Sequence, residues 1–106
     1  MKAILIDVKN QKIKEVEHDD TLKSIYEHVD CRTFDVISID NNNYVYVDDE
    51  GLFAKEQAYW KFDYCNDQPH IKLVNKGLVL GCNDEGDSIA PESTVDYIKS
   101  RIIWRW

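Results

Sequence analysis

The chain has 106 residues, of which 43% are hydrophobic and 11% aromatic, and this is the size and composition of a single domain with its own core. Thirteen lysines and arginines against twenty aspartates and glutamates give a formal net charge of −7. A negative field repels phosphate, so direct nucleic-acid binding is not expected. No stretch approaches the ~20 apolar residues of a membrane-spanning helix. Three cysteines without a C-x-x-C pair favour free thiols. Because thiols stay reduced in the cytoplasm, we expect a cytoplasmic protein.

The N-terminal third predicts a hairpin followed by a helix. Residues 2–9 and 12–17 form the arms of the hairpin, and Asn10-Gln11 forms its turn. The helix is predicted over residues 20–29, where either Asp19 or Asp20 caps its first turn. Its buried face has i, i+3, i+4 and i+7 spacing and consists of Leu22, Ile25, Tyr26 and Val29.

The middle of the chain predicts a second hairpin. Residues 33–39 and 44–47 alternate in polarity as strands do, and the Asn41-Asn42-Asn43 turn joins them. Residues 54–68 give no clear pattern. A helical stripe of Ala58, Tyr59 and Phe62 is one interpretation, although Trp60 and Tyr64 do not fit it.

The C-terminal third predicts strands at 71–74 and 78–80, then a helix that begins with a capping box of Ser93 and Asp96. Residues 102–106 alternate and predict a last strand. Because hairpins outnumber crossovers, we predict an α+β fold over residues 1–106, with a mostly antiparallel sheet and two helices packed on one face.

The sequence lacks the motifs that carry catalysis or hold a cofactor. The turns at Gly51 and Gly86 do not have the ligand spacing of an EF-hand, and the histidines and cysteines do not have the spacing of a zinc site. His28 and Cys31 stand three residues apart, but no third residue orients them as a nucleophile and a base. We therefore expect a protein that is not an enzyme and has no cofactor and no metal.

The acidic residues are concentrated in two segments. Residues 35–67 carry eight acids and two lysines, and residues 84–96 carry five acids and no base. Such segments are either a solvated surface or a surface for a basic partner. The aromatic residues near them favour a partner surface, because tyrosine and tryptophan are common anchors of protein interfaces. We expect the two acidic turns to lie at one end of the sheet. The predicted protein-binding residues are Tyr44, Tyr46, Asp48, Asp49, Glu50, Trp60, Asp84, Glu85 and Asp87.

Four short motifs resemble a family of small acidic proteins that bacteriophages and other mobile elements encode, described as a domain of unknown function. They are Asp20-Thr21-Leu22, Val47-Asp48-Asp49-Glu50-Gly51, Gly77-Leu78-Val79-Leu80-Gly81 and Asp84-Glu85-Gly86-Asp87. The resemblance implies a bacterial or infected host cytoplasm, where small acidic proteins often bind and inhibit a host or defence protein.

The expected function is therefore that of a non-enzymatic protein-binding module, whose acidic surface engages a host or defence protein with a basic, nucleic-acid-binding surface. One alternative is a small-molecule binder with a pocket lined by tyrosine and tryptophan. Another is a structural protein that self-associates into a homo-oligomer through the edge formed by residues 102–106.

Overall fold

The computed structural model describes residues 1–8, 10–40, 43–48, 59–62, 73–74, 76–83, 85, 87–91 and 94–105. Two helices and nine strands are formed within these residues. In chain order they are β1 (Lys2–Asp7), β2 (Lys12–Glu17), α1 (Leu22–Val29), β3 (Phe34–Ser38), β4 (Asn43–Asp48), β5 (Tyr59–Phe62), β6 (Leu73–Val74), β7 (Gly77–Cys82), β8 (Ser88–Ile89), α2 (Val95–Arg101) and β9 (Ile102–Arg105).

The strands form two sheets, and every strand pair in the described part of the chain is antiparallel. The main sheet has the order β2-β1-β7-β4-β3, with β8 paired to the end of β7. The smaller sheet has the order β6-β5-β9. The predicted α+β class is confirmed, and so are the two predicted hairpins, β1–β2 and β3–β4.

Apolar residues line both faces of the main sheet because neighbouring side chains of a strand point to opposite sides. On β1, Ile4 and Ile6 belong to one buried cluster, and Ala3 and Leu5 belong to the other. Helix α1 packs on the cluster of Ala3 and Leu5. Helix α2 and the smaller sheet pack on the cluster of Ile4 and Ile6. The two helices therefore cover different faces of the sheet, rather than the single face that the sequence predicted.

Helix α1 forms where the periodicity placed it, but its cap and its packed face differ from the prediction. Thr21 is the N-cap, and its Oγ1 accepts from the Ser24 backbone N–H at 3.2 Å. Leu22, predicted to be buried, is 62% exposed. The helix is only about two turns long, and it contacts the apolar cluster through Ile25 and Val29 and not through its first residue.

Two further elements correct the prediction. Thr94 caps α2 by accepting from the Tyr97 N–H at 3.1 Å, one residue after the predicted cap at Ser93, which lies outside the described residues. Residues 59–62 form a strand instead of part of a helical stripe, because they pair with β6 on one side and with β9 on the other. Neither described helix has the length and apolar character needed to cross a membrane.

Candidate functional site

The predicted site residues of β4 share one face of the main sheet. Tyr44, Tyr46 and Asp48 alternate with buried residues, and all three are half-buried. Their face is the one on which α1 lies, because Tyr46 packs against the same apolar cluster as the helix. Asp49, Glu50 and Asp84 lie outside the described residues.

The described residues of the two acidic turns, Asp48 on one side and Glu85 and Asp87 on the other, lie at opposite ends of β7 and not together at one end of the sheet. In the β4–β7 register, Val47 pairs with Gly77 at the start of β7, so Asp48 lies at that end. Glu85 and Asp87 follow Cys82 at the other end of β7. Six residues of strand separate the two ends, which is about 17 Å at a rise of about 3.3 Å per residue.

The turn that carries Glu85 and Asp87 is shaped by Asn83. The Asn83 Oδ1 accepts from the backbone N–H of Glu85 at 3.0 Å and from that of Asp87 at 2.9 Å. The Asn83 N–H donates in turn to the Asp87 carbonyl at 3.1 Å. Both acidic side chains are exposed. The turn therefore presents carboxylates to solvent, far from Asp48.

Trp60 is not a surface residue. Its side chain is 0% exposed, and its ring meets Phe62 edge to face at 5.4 Å between centroids. Trp60 pairs with Leu73 on one side and Trp104 on the other. It lies between the two sheets, where no partner can reach it, so the predicted interface loses this residue.

An aromatic row crosses the face of the sheet beside α1. Tyr26 of α1 contacts Phe34 of β3 at 5.4 Å between centroids, and Phe34 contacts Tyr46 of β4 at the same separation. The Tyr46 hydroxyl lies 3.5 Å from the Ser88 hydroxyl. Each of the three residues is half-buried, so part of each remains accessible to solvent.

Asp48 lines an open cleft of about 230 Å³ together with Asp30, Cys31 and Arg32. The chain reverses at Asp30, the C-cap of α1, which has φ 60° and donates its N–H to the Tyr26 carbonyl at 2.9 Å. This turn brings the residues after α1 to the end of β4. Phe34 pairs with Asp48 in the β3–β4 register, so the cleft and the aromatic row adjoin.

The thiol that lines the cleft has a raised pKa. Burial, together with the smaller effects of the charges of Asp48 and Asp30, raises the pKa of Cys31 to about 11. The neighbouring His28 donates its Nε2 N–H to the Glu17 carbonyl at 2.8 Å. The Cys31 thiol is thus kept protonated, which is the opposite of what a nucleophilic cysteine requires.

Sequence reasoning missed one polar cluster, at the junction of the two sheets. Arg101 Nη1 lies 3.7 Å from the Asp40 carboxylate and donates to the Tyr97 hydroxyl at 3.1 Å. The guanidinium carbon also lies 5.9 Å from the centre of the Phe62 ring. Arg101 therefore ties the β3–β4 connection to α2 and the smaller sheet. Asp40 and Arg101 are 61 positions apart, so no local pattern could have indicated the pair.

Metal binding has no support among the residues that the structure describes. No group of three or more histidines, cysteines, aspartates or glutamates is placed there to hold a metal ion. Cys31 and Cys82 are both free, as the sequence predicted.

These features define a class of protein: a small α+β domain of antiparallel sheets, with an acidic cleft and an aromatic row on one face. The chain belongs to the family described as "Domain of unknown function (DUF3846)", whose model matches residues 1–102. The expected resemblance to a domain of unknown function is thereby confirmed. No curated protein and no solved structure matches the chain.

Proposed function

We propose that this protein is a non-enzymatic protein-binding module, which engages a basic partner at the cleft of Asp30, Cys31, Arg32 and Asp48. The observation that carries the proposal is the cleft itself, in which two carboxylates line a recess of about 230 Å³. Asp48 was predicted as a binding residue from the sequence, whereas Asp30 and Arg32 were not.

The chemistry of the cleft suits a lysine or arginine side chain. A carboxylate accepts charge-assisted hydrogen bonds from a guanidinium, which are about twice as strong as neutral ones. Arg32 also lines the cleft and is exposed, so its charge partly offsets the charges of Asp30 and Asp48. Tyr46 and Phe34 next to the cleft would add contact area, because aromatic anchors supply most of the energy of many interfaces.

The proposed partner is a host or defence protein whose basic surface ordinarily binds nucleic acid. The net charge of −7 supports this, since an acidic surface both attracts such a protein and competes with phosphate. The proposed setting is the cytoplasm of a bacterial or infected host cell, and the proposed origin of the chain is a phage or another mobile element. The small-molecule alternative has less support because Trp60, a predicted lining residue of its pocket, is in the core. The self-association alternative has less support because one edge of β9 is paired with β5.

The test is a titration of isotope-labelled protein with a tetra-arginine peptide, followed by amide chemical shifts, with tetra-glutamate as the control peptide. We expect the shifts to centre on residues 30–32 and 48 and to shrink as salt is added. Asp48→Asn should weaken the binding. Glu85→Gln removes the same charge at the other end of β7 and should leave the binding nearly unchanged.

Two outcomes would contradict the proposal. Shifts that spread evenly over all exposed acids would mean that only net charge attracts the peptide. Equal losses of peptide affinity in Asp48→Asn and Glu85→Gln would have the same meaning. In either case a small-molecule site or self-association becomes the better function to pursue.

A further inference from the structure

A buried hydrogen bond between two side chains joins α1 to the main sheet. His18 follows the last residue of β2, and Ser24 lies in the first turn of α1. Their side chains approach to 2.8 Å between Nδ1 and Oγ. His18 is 1% exposed and Ser24 is 7% exposed. The pair resembles a nucleophile and its base, but its burial keeps a substrate away from it, so nucleophilic catalysis is not its role.

Helix α1 depends on this attachment. It has eight residues, and isolated helices shorter than ~12–15 residues are marginal in water. Ile25 and Val29 hold it to the apolar face, and the His18–Ser24 bond holds its N-terminal turn. A loss of this bond would weaken the docking of the first turn of α1, whereas His28, which donates to the Glu17 carbonyl, attaches the later part of the helix to β2.

The surroundings of His18 oppose a positive charge on its ring. The His28 ring lies 6.4 Å away between centroids. Burial lowers the pKa of His18 from 6.5, and the charges of His28 and of the Met1 amino group lower it further. Asp19 and Asp20 act in the other direction, but their effect is smaller than that of burial and of His28.

We propose that His18 is an acid-sensitive latch, whose protonation releases α1 and exposes the apolar face formed by Ala3, Leu5, Leu78 and Leu80. A charged imidazolium would be stranded in a buried site beside His28. Its Nδ1–H would still donate to the Ser24 hydroxyl oxygen, but one bond to a neutral hydroxyl does not replace the hydration that the charge loses. When α1 is released, the His18 ring is hydrated, and a positive charge on it costs little free energy. This inference does not depend on the proposed binding function.

The direction of the pH dependence follows from linkage between protonation and opening. The released state has the ordinary histidine pKa of about 6.5, whereas the docked state has a lower pKa, so the released state binds more protons between the two values. The docked state is thus fully favoured above about pH 6.5. The equilibrium constant for opening should rise about tenfold for each pH unit below that value, until the pKa of the docked state is reached.

The test is amide hydrogen exchange of the full chain between about pH 7.5 and pH 5, corrected for intrinsic exchange rates, together with NMR titration of the His18 ring. Protection of residues 26–30 in α1 should fall with acid relative to that of residues 78–80 in β7. His18→Gln keeps a polar partner for Ser24 but cannot titrate, so it should flatten this dependence. His28→Gln removes the charge that lowers the pKa of His18, so it should raise that pKa. Because it also removes the donor to the Glu17 carbonyl, its readout is the titration of the His18 ring and not the exchange of α1.

Three results would overturn the latch. One is a His18 ring that titrates at or above pH 6.5 in the wild-type chain. Another is protection of α1 that parallels that of β7 at every pH. The last is an undiminished pH dependence in His18→Gln. Since the first two use the wild-type chain, they remain decisive even if a substituted chain fails to fold.

Discussion

Gly77 of β7 lies against the six-membered ring of the Trp60 indole, so the main sheet and the smaller sheet meet at a residue without a side chain. A Cβ atom added at position 77 would lie 2.7 Å from Trp60 Cζ2 and 3.0 Å from the Val45 Cγ2. Trp60 is fully buried and therefore has little room to withdraw. The close approach of the two sheets depends on this glycine.

Gly77→Ala should destabilise the protein. Replacing a strand glycine with alanine ordinarily stabilises slightly, because it reduces the freedom of the unfolded chain. Here the contact with Trp60 makes the substitution destabilising, because overpacking in a core costs about 1–3 kcal/mol. Urea denaturation measures the change. As a control, the same substitution in a Trp60→Phe background should cost less, since Phe lacks the ring atoms that clash. Equal costs in the two backgrounds would show that the ring is not the obstacle.

Substitutions at Ile25 and Leu22 should differ sharply, although both residues are part of the same predicted helical face. Ile25 is buried on the sheet, so Ile25→Ala should lower the free energy of unfolding by about 2–5 kcal/mol. Leu22 is 62% exposed, so Leu22→Ala should change it by less than about 0.5 kcal/mol. Thermal or urea unfolding of both variants is the measurement. Similar losses at both positions would mean that the first turn of α1 is covered.

The comparison of Ile25 with Leu22 shows what local pattern can and cannot predict. Periodicity correctly located α1 and the strands β3 and β4, because the alternation is encoded within a few residues. It could not tell which turn of α1 would be covered, since that depends on where a two-turn helix lies on the sheet. The predicted N-caps differ from the observed ones by one or two residues for another reason. Several neighbouring side chains at each helix start can accept the same hydrogen bonds.

The candidate site was predicted only in part because its geometry depends on distant strand pairs. Trp60 is buried by strands that pair with β5 from positions 73–74 and 102–105, which the sequence does not reveal. Asp48 and Glu85 were expected together, and the β4–β7 register separated them. Asp30 joined Asp48 only through the chain reversal after α1. The acidic residues were visible in the sequence, but their grouping was not.

The reactivity of Cys31 should report the burial of its thiol and, to a smaller extent, the charge of the cleft. In a Cys65→Ser, Cys82→Ser background, alkylation by iodoacetamide should accelerate about tenfold per pH unit from pH 7 to about pH 10 without levelling, because the pKa of Cys31 is raised to about 11. Asp48→Asn should shift the curve toward lower pH, since it removes a charge that raises the pKa. Asp35→Asn, an exposed change on β3, is the matched control and should have little effect. A plateau below pH 9 would contradict the assigned environment.

The two acidic turns should act independently on the association with a basic partner. One variant changes Asp48, Asp49 and Glu50 to Asn or Gln, and the other changes Asp84, Glu85 and Asp87. The described carboxylates of the two turns are exposed or half-buried, so we expect both variants to fold. The variant at Asp48, Asp49 and Glu50 should associate more slowly with a captured partner. The reduction in the association rate should be larger at low salt, where screening is weak.

The separation of the turns makes a quantitative prediction. About 17 Å of β7 lies between Asp48 and the described residues of the other turn, Glu85 and Asp87, which is about twice the Debye length of about 8 Å at physiological ionic strength. The combined six-fold variant should therefore show the sum of the two changes in activation free energy, and the Asp48 set should account for most of it. Stopped-flow association rates at several salt concentrations measure this. Unchanged rates in both single-turn variants would mean that the acids only solvate the surface, and that binding, if it occurs, depends on the aromatic row of Tyr26, Phe34 and Tyr46.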